Sequence, residues 1–252
     1  MSDAFGAEWD WDEASRRLGR SYLLDWGDIG TDLVTLGIPE RSWERAHRVP
    51  GFEQFGYFSA DNFDPEGWKN EYPNPAFSRA TERDNAWMAR ILSRFDIGDI
   101  EALVTLGKFS RPEQATYLAD VLEQRLHLIL ERYLLRLSPL ADPRIESNER
   151  LCATDLARRR LVRPEADFHY GVTSLRGTRS EPAVVDPLPE GKICISLPHV
   201  TVAADTPDDD EARYALVHIT NGVSRFPLLV HLYDLGPARG FRVVGLERPE
   251  AP

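Results

Sequence analysis

The apolar residues of this chain change their spacing once, close to Pro164, and this change limits the folds open to it. Before that point they recur every three or four residues, as on one face of a helix. After it they alternate with polar residues, as in a strand with one buried face. A run of helices followed by a run of strands predicts an α+β protein rather than alternating βα units.

Three helices are predicted between residues 81 and 137. The first follows Thr81, which with Asp84 forms an imperfect capping box. The second covers Ile97 to Leu106, and the third runs from Ser110, with Glu113 completing a capping box, to about Leu137. The stretch "SNERLCATDLARRRL" predicts one more helix over 147–161.

The segment from Ile38 to Phe77 is irregular in pattern and rich in Pro, Gly and aromatic residues. Such long loops are uncommon in compact domains unless they pack through their own side chains or serve a function. An aromatic groove for a ligand is the alternative, but at this density most of the rings must be buried. The segment is therefore predicted to wrap over a helical core.

Beyond Pro164, five stretches have the pattern of strands, and turn residues such as Asn221-Gly222 separate them. They are "DFHYGVT", "KICISL", "ARYALVHIT", "PLLVHLYDL" and "GFRVVGLER". The prediction is an aromatic-rich, irregular helical domain followed by a small antiparallel β-sandwich domain. Its boundaries are 1–145 for the helical domain, 146–164 for a connecting helix and 165–252 for the β domain.

Net charge and the lengths of the apolar stretches argue against nucleic acid as a partner and against a membrane span. The 252 residues carry a formal charge of −11, which repels phosphate backbones, so nucleic acid is not expected as a partner. No apolar stretch approaches the length of a membrane span. Because no signal peptide is visible, a cytoplasmic location is the default expectation, and export is expected only if the true N-terminus lies upstream.

Neither the two cysteines nor the histidines have the spacing of a metal site. Cys152 and Cys194 lack the spacing of a zinc site, and two buried free thiols are expected, with one disulfide as the alternative if the chain is exported. His169, His218 and His231 fall on predicted strands, where outward positions are expected rather than a shared metal. The acidic tract Asp205 to Glu211 is expected to be a solvated loop rather than a Ca²⁺ site.

The stretch "YLLDWGD" predicts a short strand over 22–26, with Asp25 close to its end. In protein kinases a strand ends in an Asp-Phe-Gly turn whose Asp holds Mg²⁺. Asp25 and Asp28 are the candidate metal ligands here, since Mg²⁺ prefers one or two carboxylates plus phosphate oxygens and water. The simpler interpretation is that these carboxylates cap nearby backbone N–H groups.

Several stretches together resemble the C-terminal half of large, uncharacterised bacterial proteins with a distant, atypical kinase-like pattern. They are "YLLDWGD", "WKNEYPNPAF", "TERDNAWMARIL", "GKFSRPEQATYLADVLEQR", "LCATDLARRR" and "VHLYDLG". The resemblance implies that the helical domain is a remnant of a kinase C-lobe. It also implies that Asp25 occupies the position of the metal-binding Asp, with Trp26 and Gly27 completing the turn.

The parts of a kinase that precede the metal Asp have no counterpart in this sequence. The 24 residues before Asp25 contain no lysine and no glycine-rich loop. A kinase needs both, as well as a catalytic Asp with a downstream Asn. The chain alone is therefore not expected to transfer phosphate, and Mg²⁺ with ATP is expected only in a completed site.

Three functional hypotheses follow from these observations. The first is a non-catalytic C-terminal portion of an atypical kinase-like protein that acts as a binding or scaffold module. The second is a stand-alone β-sandwich module that binds protein or carbohydrate. The third is a phosphotransferase half completed in trans by a protein partner that supplies the N-terminal half.

Overall fold

The computed structural model describes residues 16–17, 19–20, 26–36, 38, 44–61, 63–69, 74–147, 149–199 and 213–250. It has a mixed α+β fold, as predicted, and divides into two compact units. One unit consists of Met1–Ala80 and Phe95–Ile129, and the other of Thr81–Arg94 and Leu130–Pro252. The described α-helices are Trp26–Thr35, Pro75–Ser78, Glu82–Leu92, Ile97–Thr105, Pro112–Leu134 and Leu156–Arg159.

The aromatic segment of the first unit packs through part of its side chains, as predicted. Phe55 and Tyr57 are buried beside the 3-10 turn Glu53–Phe55. Phe52 stacks on Tyr117 with ring centroids 4.4 Å apart, and Phe55 contacts the same ring at 5.4 Å. Farther along the segment two rings do not share in this packing, since Trp68 and Phe77 are exposed.

The helix Ile97–Thr105 confirms the second predicted helix to within a residue. It begins with a reciprocal cap that the sequence reading missed. The Asp99 backbone N–H donates to Asp96 Oδ1 at 3.0 Å, and the Asp96 N–H donates to Asp99 Oδ2 at 3.1 Å. Two donors that a helix start leaves unpaired are thereby satisfied.

The helix Glu82–Leu92 belongs to the second unit, with the strands, although it precedes them by many residues. Its predicted capping box is present, because Thr81 and Asp84 bond each other's backbone N–H. Glu82 pairs with Arg132 at 3.0 Å and Arg83 with Glu250 at 2.7 Å. These pairs tie a segment that was predicted to lie in the helical domain to the helix that precedes β1 and to the residues that follow β9.

Nine strands in the described residues form two antiparallel sheets. The order is β1-β2-β6-β5 in the four-stranded sheet and β4-β3-β7-β8-β9 in the five-stranded sheet. The strands are β1 Leu140–Glu146, β2 Arg150–Asp155, β3 Gly171–Arg176, β4 Arg179–Pro182, β5 Val185–Pro187, β6 Lys192–Ser196, β7 Tyr214–Thr220, β8 Leu228–Asp234 and β9 Phe241–Glu247.

The inner faces of the two sheets meet in one apolar core. Val217, Ile219, Leu228, Val230 and Leu232 from the five-stranded sheet are fully buried. The four-stranded sheet adds Leu140, Leu151, Ala153, Ile193 and Ile195. Each fully buried aliphatic side chain contributes about 1.5–3 kcal/mol, so this core is the main source of stability in the second unit.

The predicted helix over 147–161 is wrong, because Arg150–Asp155 is strand β2. Leu151 and Ala153 face the core, and only Leu156–Arg159 is helical, with Asp155 as its N-cap. The apolar residues of "LCATDLA" fit either period, so pairing with β1 and β6 decided the outcome.

The β region also starts earlier than the predicted boundary at 165, since β1 begins at Leu140. Pro143 and a left-handed Asp142, with φ of 50°, interrupt its sequence pattern. Both lie at a break in the register between Ala141 and Arg144. An edge strand tolerates proline at such a bulge, where no ladder hydrogen bond is lost.

Candidate binding surface

The predicted metal ligands Asp25 and Asp28 stay a prediction. Asp25 lies outside the described residues, and so does the side chain of Asp28. The backbone next to Asp25 differs from the predicted turn, because Trp26 and Gly27 begin the helix Trp26–Thr35. Trp26 itself is exposed.

The histidines do not assemble a metal centre in the described part of the chain. His218 lies on β7 and His231 on β8, whereas His169 lies in the loop before β3. The described residues hold a single close group of ligand atoms, from Glu146, Cys152 and Cys194, and its two sulfurs are bonded to each other. The acidic tract 205–211 lies outside the described residues.

The expected pair of free thiols is wrong, because Cys152 and Cys194 form a disulfide. They are directly opposite on β2 and β6, with Cα atoms 4.1 Å apart. Such a close approach is typical of antiparallel pairs that lack backbone hydrogen bonds, at about 4.5 Å. The bridge is buried and joins the two central strands of the four-stranded sheet.

The outer face of the four-stranded sheet is charged, and its charges are paired. Glu146 lies 2.8 Å from both Arg144 and Lys192, and Arg150 lies 2.8 Å from Asp186. The Lys192 ammonium, followed by Arg144, lowers the pKa of the Glu146 carboxyl. This face has the composition of a solvated surface.

The outer face of the five-stranded sheet has a different composition. Side chains of a strand point alternately to opposite faces, so the residues between core positions face outward. Apart from the outward pair of Gly171 and Thr220 at the end of β3 and β7, these are aromatic, aliphatic or histidine side chains with a single threonine on the three central strands, and most are half-buried. This set, called the outer patch below, consists of Thr173, Leu175, Tyr214, Leu216, His218, Leu229, His231 and Tyr233.

The charged residues on this face lie on β9, one of the two edge strands of the sheet. Glu247 Oε1 is 3.0 Å from His231 Nε2, and the Tyr214 hydroxyl bonds His231 Nδ1 on the other side of the ring. The carboxylate lies off the direction of the ring N–H, so this contact is electrostatic rather than an aligned hydrogen bond. It favours the tautomer with the proton on Nε2, in which Nδ1 accepts from the Tyr214 hydroxyl.

A second histidine arrangement lies where β6 and β8 end. His199 Nδ1 is 2.7 Å from Asp234 Oδ1, and its ring stacks on Phe241 with centroids 4.5 Å apart. Arg176 lies 3.3 Å from the other Asp234 oxygen. A carboxylate that orients a histidine is a common part of hydrolytic sites.

His199 has no nucleophile to activate among the described residues. Its Nε2 is buried without a hydrogen-bond partner, and Glu149 Oε1 lies 3.9 Å from it. The aligned Nδ1 bond and the stacked ring fix the imidazole between strand ends of both sheets. In the described residues the arrangement is therefore best explained as a packing contact that closes one end of the sandwich.

Asp155 is a fully buried carboxylate of the second unit, and its pKa is shifted. Its oxygens accept from Tyr170, Asn221 and the N–H groups of Ala157 and Arg158, at 2.8–3.1 Å. Burial raises the pKa of Asp155 despite these donors, and burial followed by the Asp155 charge raises the pKa of Tyr170. Every acceptor is occupied, so the cluster has a structural role.

Sequence reasoning placed the strands of the outer patch but did not recognise the patch. The signal was present in "YALVHIT" and "LLVHLYD", where Ala215, Val217 and Val230 fill the core. The positions between them hold Tyr, Leu and His, whereas a solvated sheet face usually carries charged or small polar residues. A strand that is apolar on both faces indicates a second contact surface.

No protein-family model, no curated protein and no solved structure matches this chain. None of the described helices has an apolar stretch long enough to cross a lipid bilayer. The fold and surface define a mixed α+β protein with a β-sandwich whose two outer faces differ in character.

Proposed function

We propose that this chain is a non-catalytic binding module that holds a protein partner on the outer patch of its five-stranded sheet. The observation that carries the proposal is the contrast between the two outer faces. One face is covered by ion pairs, and the other presents partly exposed tyrosine, leucine and histidine side chains. Partly exposed apolar faces with aromatic residues are characteristic of protein interfaces.

A second apolar surface supports a role in assembly rather than catalysis. The helix Trp26–Thr35 exposes Trp26, Leu33 and Val34, of which Trp26 and Leu33 lie on one side of the helix. Large apolar side chains rarely stay exposed on a helix that has no partner. This helix follows Asp25 directly and is where a kinase-like N-terminal half supplied by a partner would dock.

The module is proposed to be the C-terminal, non-catalytic portion of an atypical kinase-like protein. The residues of "YLLDWGD" support this origin. Mg²⁺-dependent ATP turnover by the purified chain would contradict the non-catalytic part of the proposal. Turnover only after addition of a co-purifying partner would favour the half-enzyme completed in trans.

The test is a matched pair of charge substitutions, one on each outer face. Leu216→Glu places a carboxylate in the outer patch, opposite Leu175 and His231. Thr154→Glu places one on the charged face, opposite Lys192, and serves as control. Proteins captured by the wild-type chain from extracts of its own cell are identified, and each purified partner is titrated against the three proteins.

We expect Leu216→Glu to weaken partner binding by about tenfold or more, since burying an unpaired charge in an interface costs several times RT. Thr154→Glu should bind as the wild type does. Equal affinities for all three proteins would contradict the proposal. Saturable binding of a polysaccharide that is lost on Tyr214→Ala would replace the protein partner with a carbohydrate.

A further inference from the structure

Arg125 of the helix Pro112–Leu134 is held in an unusual position in the first unit. Its Nε donates to the Ser59 carbonyl at 2.8 Å. The guanidinium carbon lies 3.9 Å from the ring centre of Phe58 and 4.5 Å from that of Phe63. One hydrogen bond and two aromatic rings thus fix the plane of the group, while its terminal nitrogens donate to no described residue.

Arg20 is anchored to the same loop, two residues away. Its Nη2 donates to the Tyr57 carbonyl at 3.0 Å, and its Nη1 donates to the Arg16 carbonyl at 3.3 Å. Arg16 also donates to the Tyr57 hydroxyl at 3.5 Å. Among the described residues, the two part-buried guanidinium groups are therefore held by neutral acceptors, which include the Tyr57 and Ser59 carbonyls of one loop.

The two arginines act on each other electrostatically. Burial, followed by the positive charge of Arg20, lowers the pKa of Arg125 to about 10. Burial lowers the pKa of Arg20 as well. Among the described residues neither group forms an ion pair with a carboxylate, although the chain has 41 acidic and 30 basic residues.

One carboxylate does act on the surroundings of Arg125. The charge of Asp61, after burial, raises the pKa of Tyr117, whose hydroxyl donates to the Phe58 carbonyl at 3.2 Å. Asp61 is exposed and is not among the groups that shift the pKa of Arg125 or Arg20.

We propose that Arg20 and Arg125 form a binding site for the phosphate group of a small ligand. Two positive charges that are already oriented and partly desolvated match a group with a charge of about −2 at pH 7. A single carboxylate would neutralise one of them. Guanidinium groups bind phosphate with paired N–H donors, and the rings of Phe58 and Phe63 hold the Arg125 plane ready for this geometry.

This site lies in the first unit and is independent of the outer patch. Its test uses the complete chain, inorganic phosphate as the probe, and isothermal titration at constant ionic strength. Arg125→Gln and Arg20→Gln each remove one charge. Arg111→Gln is the matched control, because Arg111 also donates to a loop carbonyl of this unit, that of Gly51, outside the proposed site.

We expect saturable phosphate binding that weakens about tenfold or more in each of the two site variants and is unchanged in Arg111→Gln. Arg20→Gln decides the matter if Arg125→Gln does not fold. No saturable binding by the wild type, or an equal loss in Arg111→Gln, would overturn the site. Acetate binding as tightly as phosphate would overturn the assignment to phosphate.

Discussion

The Asp155 carboxylate illustrates how a buried charge is retained in the second unit. It accepts four hydrogen bonds, of which two cap the helix Leu156–Arg159 and two come from Tyr170 and Asn221. Asn221 in turn accepts from the Val223 and Ser224 N–H groups and so orders the turn between β7 and β8. One side chain thus connects a strand end, a helix start and a turn.

The raised pKa of Asp155 predicts a specific pH dependence of stability. The folded state holds this proton to higher pH than the unfolded chain does, since burial disfavours the charged form. The stabilisation that the protonated Asp155 provides is complete below about pH 4, the ordinary pKa of aspartate. It is lost as the pH rises through the pKa of Asp155 in the folded state. Asp155→Asn removes this titration.

The free energy of unfolding is therefore measured for the wild type and for Asp155→Asn from about pH 4 to pH 7. We expect the advantage of the wild type over Asp155→Asn to shrink as the pH rises. The variant itself should lose about 1–3 kcal/mol, because its amide faces the Asn221 donor. An advantage that grows with pH would mean that the hydrogen bonds lower the pKa of Asp155 more than burial raises it.

Strand β2 shows where sequence reasoning fails at the scale of an element. Its apolar residues fit both a helical and an alternating pattern, and an Asp that caps a helix lies at its end. This segment is a strand because it pairs with β1 and β6. Its partners can be far away in sequence: Cys152 on β2 lies opposite Cys194 on β6, 42 residues later. A local sequence pattern carries no information about such partners. The helix Glu82–Leu92 was predictable because its capping residues, Thr81 and Asp84, lie in the same short stretch of sequence.

The disulfide between β2 and β6 gives an element-scale prediction. Closing a loop with a sequence separation of 42 stabilises a folded protein by about 2–4 kcal/mol, mainly through the unfolded chain. Equilibrium unfolding of the wild type should therefore shift to lower denaturant concentration by that amount when reductant is present.

The double variant Cys152→Ala with Cys194→Ala is the control, and its unfolding should not respond to reductant. Alkylation of the folded protein in the absence of reductant should leave both sulfurs unmodified, since the thiolate is the group that reacts and a disulfide has none. Identical wild-type curves with and without reductant would show that the bridge contributes nothing to stability.

At the scale of the whole molecule, the sequence predicted the fold class and most central strands but not the way the chain is divided. The change of period near Pro164 marks the end of helix-rich sequence, whereas the second unit also includes Thr81–Arg94 and starts its strands at Leu140. Contacts between segments distant in sequence, such as the ion pair of Glu82 with Arg132, belong to this arrangement. Periodicity does not report them.

The candidate surfaces were less predictable than the fold, for a physical reason. A motif such as "YLLDWGD" is contiguous, whereas the outer patch brings together residues from β3, β7 and β8 that only the sheet register makes neighbours. The arginine pair likewise depends on a loop that folds back onto the helix Pro112–Leu134. Both surfaces follow from tertiary contacts.

The most direct test of the account is photo-crosslinking in the cell that makes the protein. A photoreactive amino acid replaces Leu229 in the outer patch and, in a matched strain, Thr154 on the charged face. We predict a discrete crosslinked protein partner from position 229 and none from position 154. Equal crosslinking from both positions, or none from position 229, would contradict the assignment of the outer patch as the binding surface.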